Sequence, residues 1–206
     1  MLVNIIFLDY ERHTFTEQVK NKNFSNAGYD FSFTQVGMKG ISKAINYGIS
    51  RSKDFDAIVT MANDILMPDN WLLRMVEAAL NIPNTGMCGI HCVEGINPLQ
   101  TINGIQVHPQ DASFGNVLIP MSAIEKVGYF NEAYDPYGMQ DSDYAYRLKM
   151  TGHINYYLHD LKSEHIGHDV GQDTPYRKMK DEGLMQCDEI WERETKRYLE
   201  TNNYYL

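Results

Sequence analysis

Two acidic positions in this sequence have the type and setting of residues that do chemistry. The first is Asn63-Asp64, which directly follows the apolar run from Ala57 to Met61. A carboxylate after a buried strand can hold Mg²⁺ or Mn²⁺, because these ions prefer oxygen ligands and leave positions open for a diphosphate. Asn and Asp are also frequent turn residues, and without further context a turn is the better explanation of this pair.

The second acidic position is Asp141, which follows Tyr137-Gly138 and opens a predicted helix. A carboxylate at such a loop–helix junction can take a proton from an attacking hydroxyl group. Two structural explanations compete with this role. Asp141 suits a helix N-cap, and Asp143 and Arg147 have the spacing of an i,i+4 ion pair. Without further context, capping is the better explanation.

Two further patterns suit the binding of an ion. His165 and His168 lie three residues apart around Gly167, and a loop of this kind can present an imidazole to a metal ion. A pair of solvent-exposed histidines explains the same pattern equally well. Gly40 opens a predicted helix whose N-terminus is suited to a phosphate, which is a weak signal by itself.

The elements that must position these residues alternate between strand and helix over the first ninety residues. Strand patterns cover Leu2 to Leu8, Tyr29 to Gln35, Ala57 to Met61 and Met87 to Cys92. Helical patterns begin at a Thr14–Glu17 capping box, at Gly40 and after Pro68-Asp69-Asn70. This alternation predicts a doubly wound α/β fold, in which ligands bind beyond the carboxyl ends of the strands.

The second half of the chain has a different pattern. Asn103-Gly104 between apolar residues predicts a hairpin. The remaining predicted elements are a strand from Phe114 to Pro120, helices from Ser122 to Val127, Asp141 to Met150 and Tyr176 to Leu199, and a strand from Asn155 to Leu158. We therefore predict a single domain over residues 1–206, with one lobe at 1–92 and a second lobe at 93–206 that includes the C-terminal helix.

Composition narrows the class of protein. The formal net charge of −9 argues against nonspecific binding to a nucleic-acid backbone. The three cysteines, Cys88, Cys92 and Cys187, are too few and too irregular for a disulfide framework and predict reduced thiols. The early apolar run from Ile5 to Leu8 is too short for a signal segment or a membrane span. We expect a cytoplasmic protein without a transmembrane segment.

Read in order, these segments resemble the family 2 glycosyltransferases of the GT-A fold, from about Asn4 to His168. The resemblance joins a first strand with its nucleotide loop, a Gly-x-x-x-Ala-x-Asn-x-Gly helix, a DxD region, a Val-Gly-Gly-Phe-Asp-Glu segment and a Gly-x-Glu-Asp-x-Asp-x-x-x-Arg segment. The corresponding stretches are Ile5 to Arg12, Gly40 to Gly48, Met61 to Leu72, Val127 to Glu132 and Tyr137 to Arg147. The order of the matches is far more specific than any one of them.

The resemblance implies a GT-A fold, with a mostly parallel central sheet flanked by helices, and transfer of a sugar from a nucleotide-sugar to an acceptor hydroxyl with inversion. It implies Mn²⁺ or Mg²⁺ as cofactor and favours a UDP-sugar, with GDP or dTDP as alternatives. Asp141 would be the general base, and the metal ligands would be Asp64 with His165 or His168. The donor-binding residues would be Asp9, Tyr10, Arg12, Gln35, Lys39, Asn46 and Asn63.

Two departures from the family pattern keep alternatives open. Ala62 reduces the DxD motif to Asn63-Asp64, and Gln35 replaces the acid that usually follows the second strand. Both changes are compatible with a non-catalytic module that binds a nucleotide-sugar or a glycan. A nucleotidyltransferase is disfavoured, because the loop after Leu8 is neither glycine-rich nor basic. The charged C-terminal helix either caps the fold or joins two chains in a homo-oligomer.

Overall fold

The computed structural model describes residues 1–9, 14–91, 97–111, 115–167 and 173–206. Ten strands are described: β1 Val3–Leu8, β2 Ser32–Val36, β3 Ala57–Ala62, β4 Ile65–Leu66, β5 Thr85–His91, β6 Gln100–Ile102, β7 Ile105–Pro109, β8 Asn116–Pro120, β9 Ile154–Lys162 and β10 Glu164–His165. The described α-helices are α1 Thr16–Ser25, α2 Ile41–Ser50, α3 Trp71–Asn81, α4 Met121–Val127, α5 Gln140–Met150 and α6 Pro175–Thr201.

Eight of the described strands form one sheet in the order β2-β1-β3-β8-β5-β9-β7-β6. The pairs β1–β2, β1–β3 and β5–β9 are parallel, whereas β8 and β7 run against their neighbours. The carboxyl ends of β1, β2, β3, β5 and β9 therefore lie at the same edge. Strands from both halves of the chain belong to this sheet, and the predicted division into lobes near residue 92 stays a prediction.

The sheet is buried on both faces, which explains why its central strands are apolar along their whole length. One core packs under α1 and α3 and includes Phe7, Trp71 and Met75. The other core lies under α2, α4 and α5 and includes Ile45, Val117 and Leu148. Alternate residues of β1 contribute to opposite cores, Ile5 and Phe7 to the first and Ile6 to the second, so this strand contributes to both layers.

Most predicted helices and strands are present, and the predicted and observed elements differ mainly in where they begin and end. The hairpin turns at Asn103-Gly104, where both residues have positive φ. The capping box at Thr14–Glu17 is wrong, because α1 begins at Thr16 after Phe15 and has no side-chain cap. Asp141 is not an N-cap either: the N-cap of α5 is Met139.

The predicted pair of Asp143 and Arg147 is confirmed and is fully buried, with Arg147 Nε 2.9 Å from Asp143 Oδ2. Arg147 also donates to the carbonyl oxygens of Val127 at 2.7 Å and Tyr129 at 2.9 Å. The hydroxyl of Tyr198, on α6, donates to Asp143 Oδ1 at 2.8 Å. A buried ion pair is stable only when its other hydrogen-bonding atoms also have partners, as they do here. Through Tyr198, the same hydrogen-bond network links α6 to α5.

Helix α6 approaches the loop before α5 very closely. A Cβ on Gly138 would collide with the Sγ atom of Cys187, and a Cβ on Gly183 would collide with the carbonyl oxygen of Tyr137. Both glycines are needed for this contact, since neither position has room for a side chain. Cys187 is buried and unpaired like Cys88, as predicted; Cys92 lies outside the described residues.

Candidate functional site

Polar side chains gather at the edge where the first three parallel strands end. Asp9 directly follows β1, Gln35 is the penultimate residue of β2, and Asn63 directly follows β3. Because these strands are neighbours and parallel, residues that are 26 to 54 positions apart in the chain come together. The predicted donor-binding residues Asp9, Gln35 and Asn63 thus lie together, and their role in binding stays a prediction.

Asp9 is the centre of a hydrogen-bonded cluster at this edge. Its carboxylate accepts hydrogen bonds from Thr16 Oγ1 at 2.5 Å, Gln35 Nε2 at 2.6 Å and Asn63 Nδ2 at 3.1 Å. Its main-chain N–H donates to the carbonyl oxygen of Val36 at 2.9 Å. The carboxylate is therefore held by three elements, and it fixes the orientation of two amide side chains.

Asp64 and His165, both predicted as metal ligands, lie next to each other. His165 Nε2 is 3.1 Å from Asp64 Oδ2, and the Ile166 N–H donates to the Asp64 carbonyl oxygen at 2.9 Å. The contact is built by the small antiparallel ladder between β4 and β10. No group of three His, Cys, Asp or Glu side chains suited to a metal ion occurs among the described residues, which do not include His168.

The loop that carries Asp64 is held from below by Asn23. This fully buried amide donates to the Ile65 carbonyl oxygen at 2.9 Å and accepts from the Met67 N–H at 2.8 Å. The main-chain carbonyl oxygen of Asn23 accepts a hydrogen bond from Trp71 Nε1 at 2.8 Å. Trp71 is also fully buried. The position of Asp64 is thus fixed by packing and not by its loop alone.

A narrow cleft with a volume of about 90 Å³ opens beside these residues. Its polar end is formed by Asn63 and Asp64. The rest is mainly apolar and is lined by Leu8, Val36, Met38, Gly40, Ile41, Ala44, Ala62, Pro136, Tyr137, Tyr176 and Met179. Such a surface suits a flat ring, with charged groups at the Asp64 end.

Asp141 lies in the first turn of α5, just beyond the loop that lines the cleft. Pro136 and Tyr137 of that loop are lining residues, but Asp141 itself is not. Burial raises the pKa of Asp141 above its ordinary value, and a hydrogen bond from the Ser142 N–H offsets part of the rise. The negative charge of Asp111 adds to it. A carboxylate with a raised pKa is a better proton acceptor than an ordinary one.

Other predicted donor-binding residues have different outcomes. Lys39 is exposed between two lining residues, Met38 and Gly40. Asn46 does not line the cleft: its amide binds the Phe130 N–H and carbonyl oxygen, at 2.8 and 3.0 Å, and thereby holds the turn that precedes α5. Its side chain has a structural task, and the donor-binding role expected for it stays a prediction. Tyr10, Arg12 and His168 lie outside the described residues.

The N-terminus of α2, which the sequence suggested for a phosphate, is already occupied by an anion of the protein. Asp135 accepts hydrogen bonds from the Ser42 N–H at 2.8 Å and the Lys43 N–H at 3.2 Å. The carboxylate lies against Gly40, where a side chain would collide with it. An internal carboxylate satisfies the exposed N–H groups and the helix dipole, as a bound phosphate would.

Several residues of the site were missed by sequence reasoning. The sequence pattern indicates no role for Thr16, and it gives no signal for Asp135 because the partners of Asp135 lie about ninety positions away. Tyr176 and Met179 line the cleft from α6, a helix for which the sequence predicts only capping of the fold or an oligomer contact. The spacing of Tyr176, Met179 and Lys180 on one helical face was the available signal.

Solved structures that resemble this chain share one type of fold. Neither a protein-family model nor a curated protein sequence matches the chain. Among solved structures, GalNAc-T7 with UDP, GalNAc and Mn²⁺ matches 84% of this chain with a TM-score of 0.64 and 9% identity. The catalytic domain of Drosophila β1,4-galactosyltransferase 7, in complex with xylobiose, matches 86% of this chain and 78% of its own length, with a TM-score of 0.62 and 12% identity.

A third structure, the mannosyltransferase PcManGT from Pyrobaculum calidifontis with GDP-Man and Mn²⁺, matches 82% of this chain with a TM-score of 0.59 and 15% identity. The chain spans 45% of the GalNAc-T7 chain and 58% of the mannosyltransferase chain. Within the described ranges, no helix combines the length and apolar character needed to cross a membrane. At such low sequence identities, the structural matches establish the fold and nothing further. They confirm the predicted fold: this chain has the GT-A fold of the glycosyltransferases.

Proposed function

We propose that this chain is a metal-dependent glycosyltransferase, which moves a sugar from a nucleotide-sugar, with a UDP-sugar favoured, to an acceptor hydroxyl with inversion. The observation that supports it best is the contact between Asp64 and His165 at the polar end of an otherwise apolar cleft. Two of the structural neighbours, GalNAc-T7 and the mannosyltransferase, contain a nucleotide or nucleotide-sugar together with manganese.

The Asp64 and His165 side chains would together hold a divalent ion. The Asp64 Oδ2 and His165 Nε2 atoms are 3.1 Å apart, so both donor atoms could reach the same ion. Carboxylate and imidazole both suit Mn²⁺, and such an ion, when bound, stabilises the negative charge of the leaving diphosphate. Asp64 and His165 would orient it from the protein side.

The donor side would be organised by Asp9. Its carboxylate holds the amides of Gln35 and Asn63 at one end of the apolar wall, so these polar groups need no rearrangement when a ligand enters. The apolar wall would receive the nucleobase, and the ribose and diphosphate would extend toward Asp64. Lys39 stays a candidate for phosphate contact at the rim.

Asp141 would act as the general base of a single displacement. The acceptor hydroxyl loses its proton to the Asp141 carboxylate while its oxygen bonds to the anomeric carbon. The bond from that carbon to the diphosphate oxygen breaks on the opposite face, and the electron pair leaves with the diphosphate. Burial raises the pKa of Asp141, which makes its carboxylate a stronger base.

Release of nucleoside diphosphate from UDP-, GDP- and dTDP-sugars, measured with Mn²⁺ and with EDTA, tests this proposal. Asp64→Ala should lower donor affinity in Mn²⁺ and change little in EDTA, whereas Asp141→Asn should abolish turnover and retain donor binding. Asp69→Asn is the control, because Asp69 belongs to the same sequence segment but is exposed and pairs with Lys22 at 3.6 Å. Donor binding without turnover in the wild type would instead identify a nucleotide-sugar-binding module.

A further inference from the structure

The contacts that place His165 beside Asp64 occur at the very end of β9. A one-residue step on β5, from Ile90 to His91, is matched by a four-residue step on β9, so the ladder between these two strands is irregular there. Because an irregularity of this kind interrupts the regular pairing, the earlier part of the ladder does not determine where His165 lies. Its position is set by the contacts that follow the irregularity.

Ser163 makes those contacts. It is buried and is the single residue between β9 and β10. Its N–H donates to the carbonyl oxygen of His91, the last residue of β5, at 2.9 Å. Its Oγ atom lies 3.4 Å from the same oxygen and 3.5 Å from the carbonyl oxygen of Ile90, so its hydroxyl proton is directed at the end of β5. The corner that leads to His165 is therefore attached to β5.

Asn116 attaches the same corner to a second strand. This buried residue begins β8, and its Nδ2 atom donates to Ser163 Oγ at 3.3 Å. Asn116 lies opposite Met61 in the antiparallel ladder between β8 and β3. Asp64 follows Met61 by three residues, just after β3 ends. One amide group thus links the strand that leads to Asp64 with the corner that leads to His165.

The amide of Asn116 is only partly satisfied. Its Oδ1 atom is buried, and none of the described residues donates a hydrogen bond to it. A buried acceptor without a donor lowers the stability of a fold, so stability alone does not explain an amide at this place. The link to Ser163 gives the amide a different task.

We propose that Asn116 and Ser163 are positioning residues for a divalent ion: their hydrogen bond sets the separation of Asp64 and His165, so that both side chains reach one ion. The Asp64 Oδ2 and His165 Nε2 atoms are 3.1 Å apart in this arrangement. Neither Asn116 nor Ser163 touches the ion. The inference rests on the proposed function for the presence of the ion and adds two supporting residues that the family resemblance does not supply.

Titration of the full chain with Mn²⁺, without nucleotide and followed by the electron paramagnetic resonance signal of the free ion, tests the inference. Asp64→Ala should remove the binding and so identify the site. Ser163→Ala and Asn116→Ala should each weaken Mn²⁺ binding about 10-fold, at the lower end of the range for residues that support metal ligands. The double variant should bind no more weakly than the weaker single variant, because both substitutions remove the same hydrogen bond.

Thr85→Val is the matched control. Thr85 also has a buried hydroxyl, which donates to the Ile82 carbonyl oxygen at 2.9 Å and lies 3.0 Å from the Tyr156 hydroxyl. It begins β5, at the end of that strand away from His91. Thr85→Val should lower Tm in a thermal melt, as Ser163→Ala does, and should leave Mn²⁺ affinity unchanged.

All titrations are made below the Tm of the least stable variant, and one folded alanine variant is enough for the comparison. Four results would each overturn the inference. They are Mn²⁺ binding like that of the wild type by a folded single variant, an equal loss of affinity in Thr85→Val, additive losses in the double variant, and no Mn²⁺ binding by the wild type.

The two proposals fail in different ways. If Mn²⁺ binds at Asp64 and depends on Ser163 and Asn116, but no nucleotide-sugar is turned over, the inference stands and the transferase proposal fails. If turnover is normal and the Ser163 and Asn116 variants bind Mn²⁺ like the wild type, the transferase proposal stands and these residues do not position the ion.

Discussion

Arg147→Met should destabilise the protein strongly, because it removes one partner of a completely buried ion pair. Arg147 and Asp143 are each 0% exposed, and the guanidinium makes three hydrogen bonds, to Asp143 and to two carbonyl oxygens. Loss of one partner of such a pair costs about 3–5 kcal/mol of unfolding free energy. For a chain of this size, that corresponds to a fall in Tm of roughly 6–20 °C.

The pH dependence of this variant gives a second check. Burial raises the pKa of Asp143, and the charge of Arg147 offsets part of the rise. Without Arg147 the pKa must rise further, so Asp143 takes up a proton more readily in the folded state than in the unfolded state. An acid with a raised folded pKa favours folding at low pH and disfavours it at high pH. The variant should therefore lose less stability at pH 5 than at pH 8.

Urea unfolding followed by tryptophan fluorescence measures this effect. Arg51→Met is the control, because Arg51 is exposed and the one contact described for its side chain is with the ring of Tyr47. It should change stability by less than about 0.5 kcal/mol. The double variant Asp143→Leu/Arg147→Met should recover much of the loss, since no buried charge remains. A loss below about 1 kcal/mol for Arg147→Met would refute the reasoning.

Three further predictions concern the site and its supports. Asp141→Asn should raise the unfolding free energy at pH 7, because burial raises the pKa of this carboxyl and so makes its charged form costly in the folded state. The gain in stability should disappear below about pH 4, where the aspartate is protonated in both the folded and the unfolded state, and urea unfolding at both pH values measures the difference. Gly183→Ala should lower Tm in a thermal melt, because the new Cβ would collide with the Tyr137 carbonyl oxygen. The same substitution in an open helix stabilises the helix by about 1 kcal/mol, so an increase in Tm would contradict the close contact. Mn²⁺ at about a hundred times its Kd should stabilise the wild type by about 2.7 kcal/mol and leave Asp64→Ala unchanged in a thermal-shift assay; equal shifts would place the ion elsewhere.

Much of the fold was readable from the sequence because local patterns determine it. The apolar runs of β1 and β3 identify strands buried on both faces, and Asn103-Gly104 identifies a hairpin. The spacing of Asp143 and Arg147 predicted their pairing because one turn of helix brings them together. The location of Asp64 at the carboxyl end of β3 follows from the same kind of local argument.

The rest of the site depends on contacts between distant segments, which a single sequence does not show. Asn46 fits a donor-binding motif, yet its amide holds the turn at Phe130, a partner 84 positions away. Asp135 occupies the start of α2 from 93 positions away. The sequence pattern predicts a capping box that begins at Thr14, whereas the hydroxyl of Thr16 donates to Asp9. The predicted homo-oligomer and cytoplasmic location stay predictions.

The carboxylate of Asp135 at the start of α2 has a consequence for how affinity depends on solution conditions. In many nucleotide-binding proteins, main-chain amides at a helix start supply a permanent anion receptor that works without any cofactor. Here that receptor is internally saturated, so phosphate recognition would depend on the ion and on side-chain charge. Donor affinity should then follow the concentration of divalent cation closely, and chelation should reduce it far more than in a protein whose helix amides bind the phosphate directly.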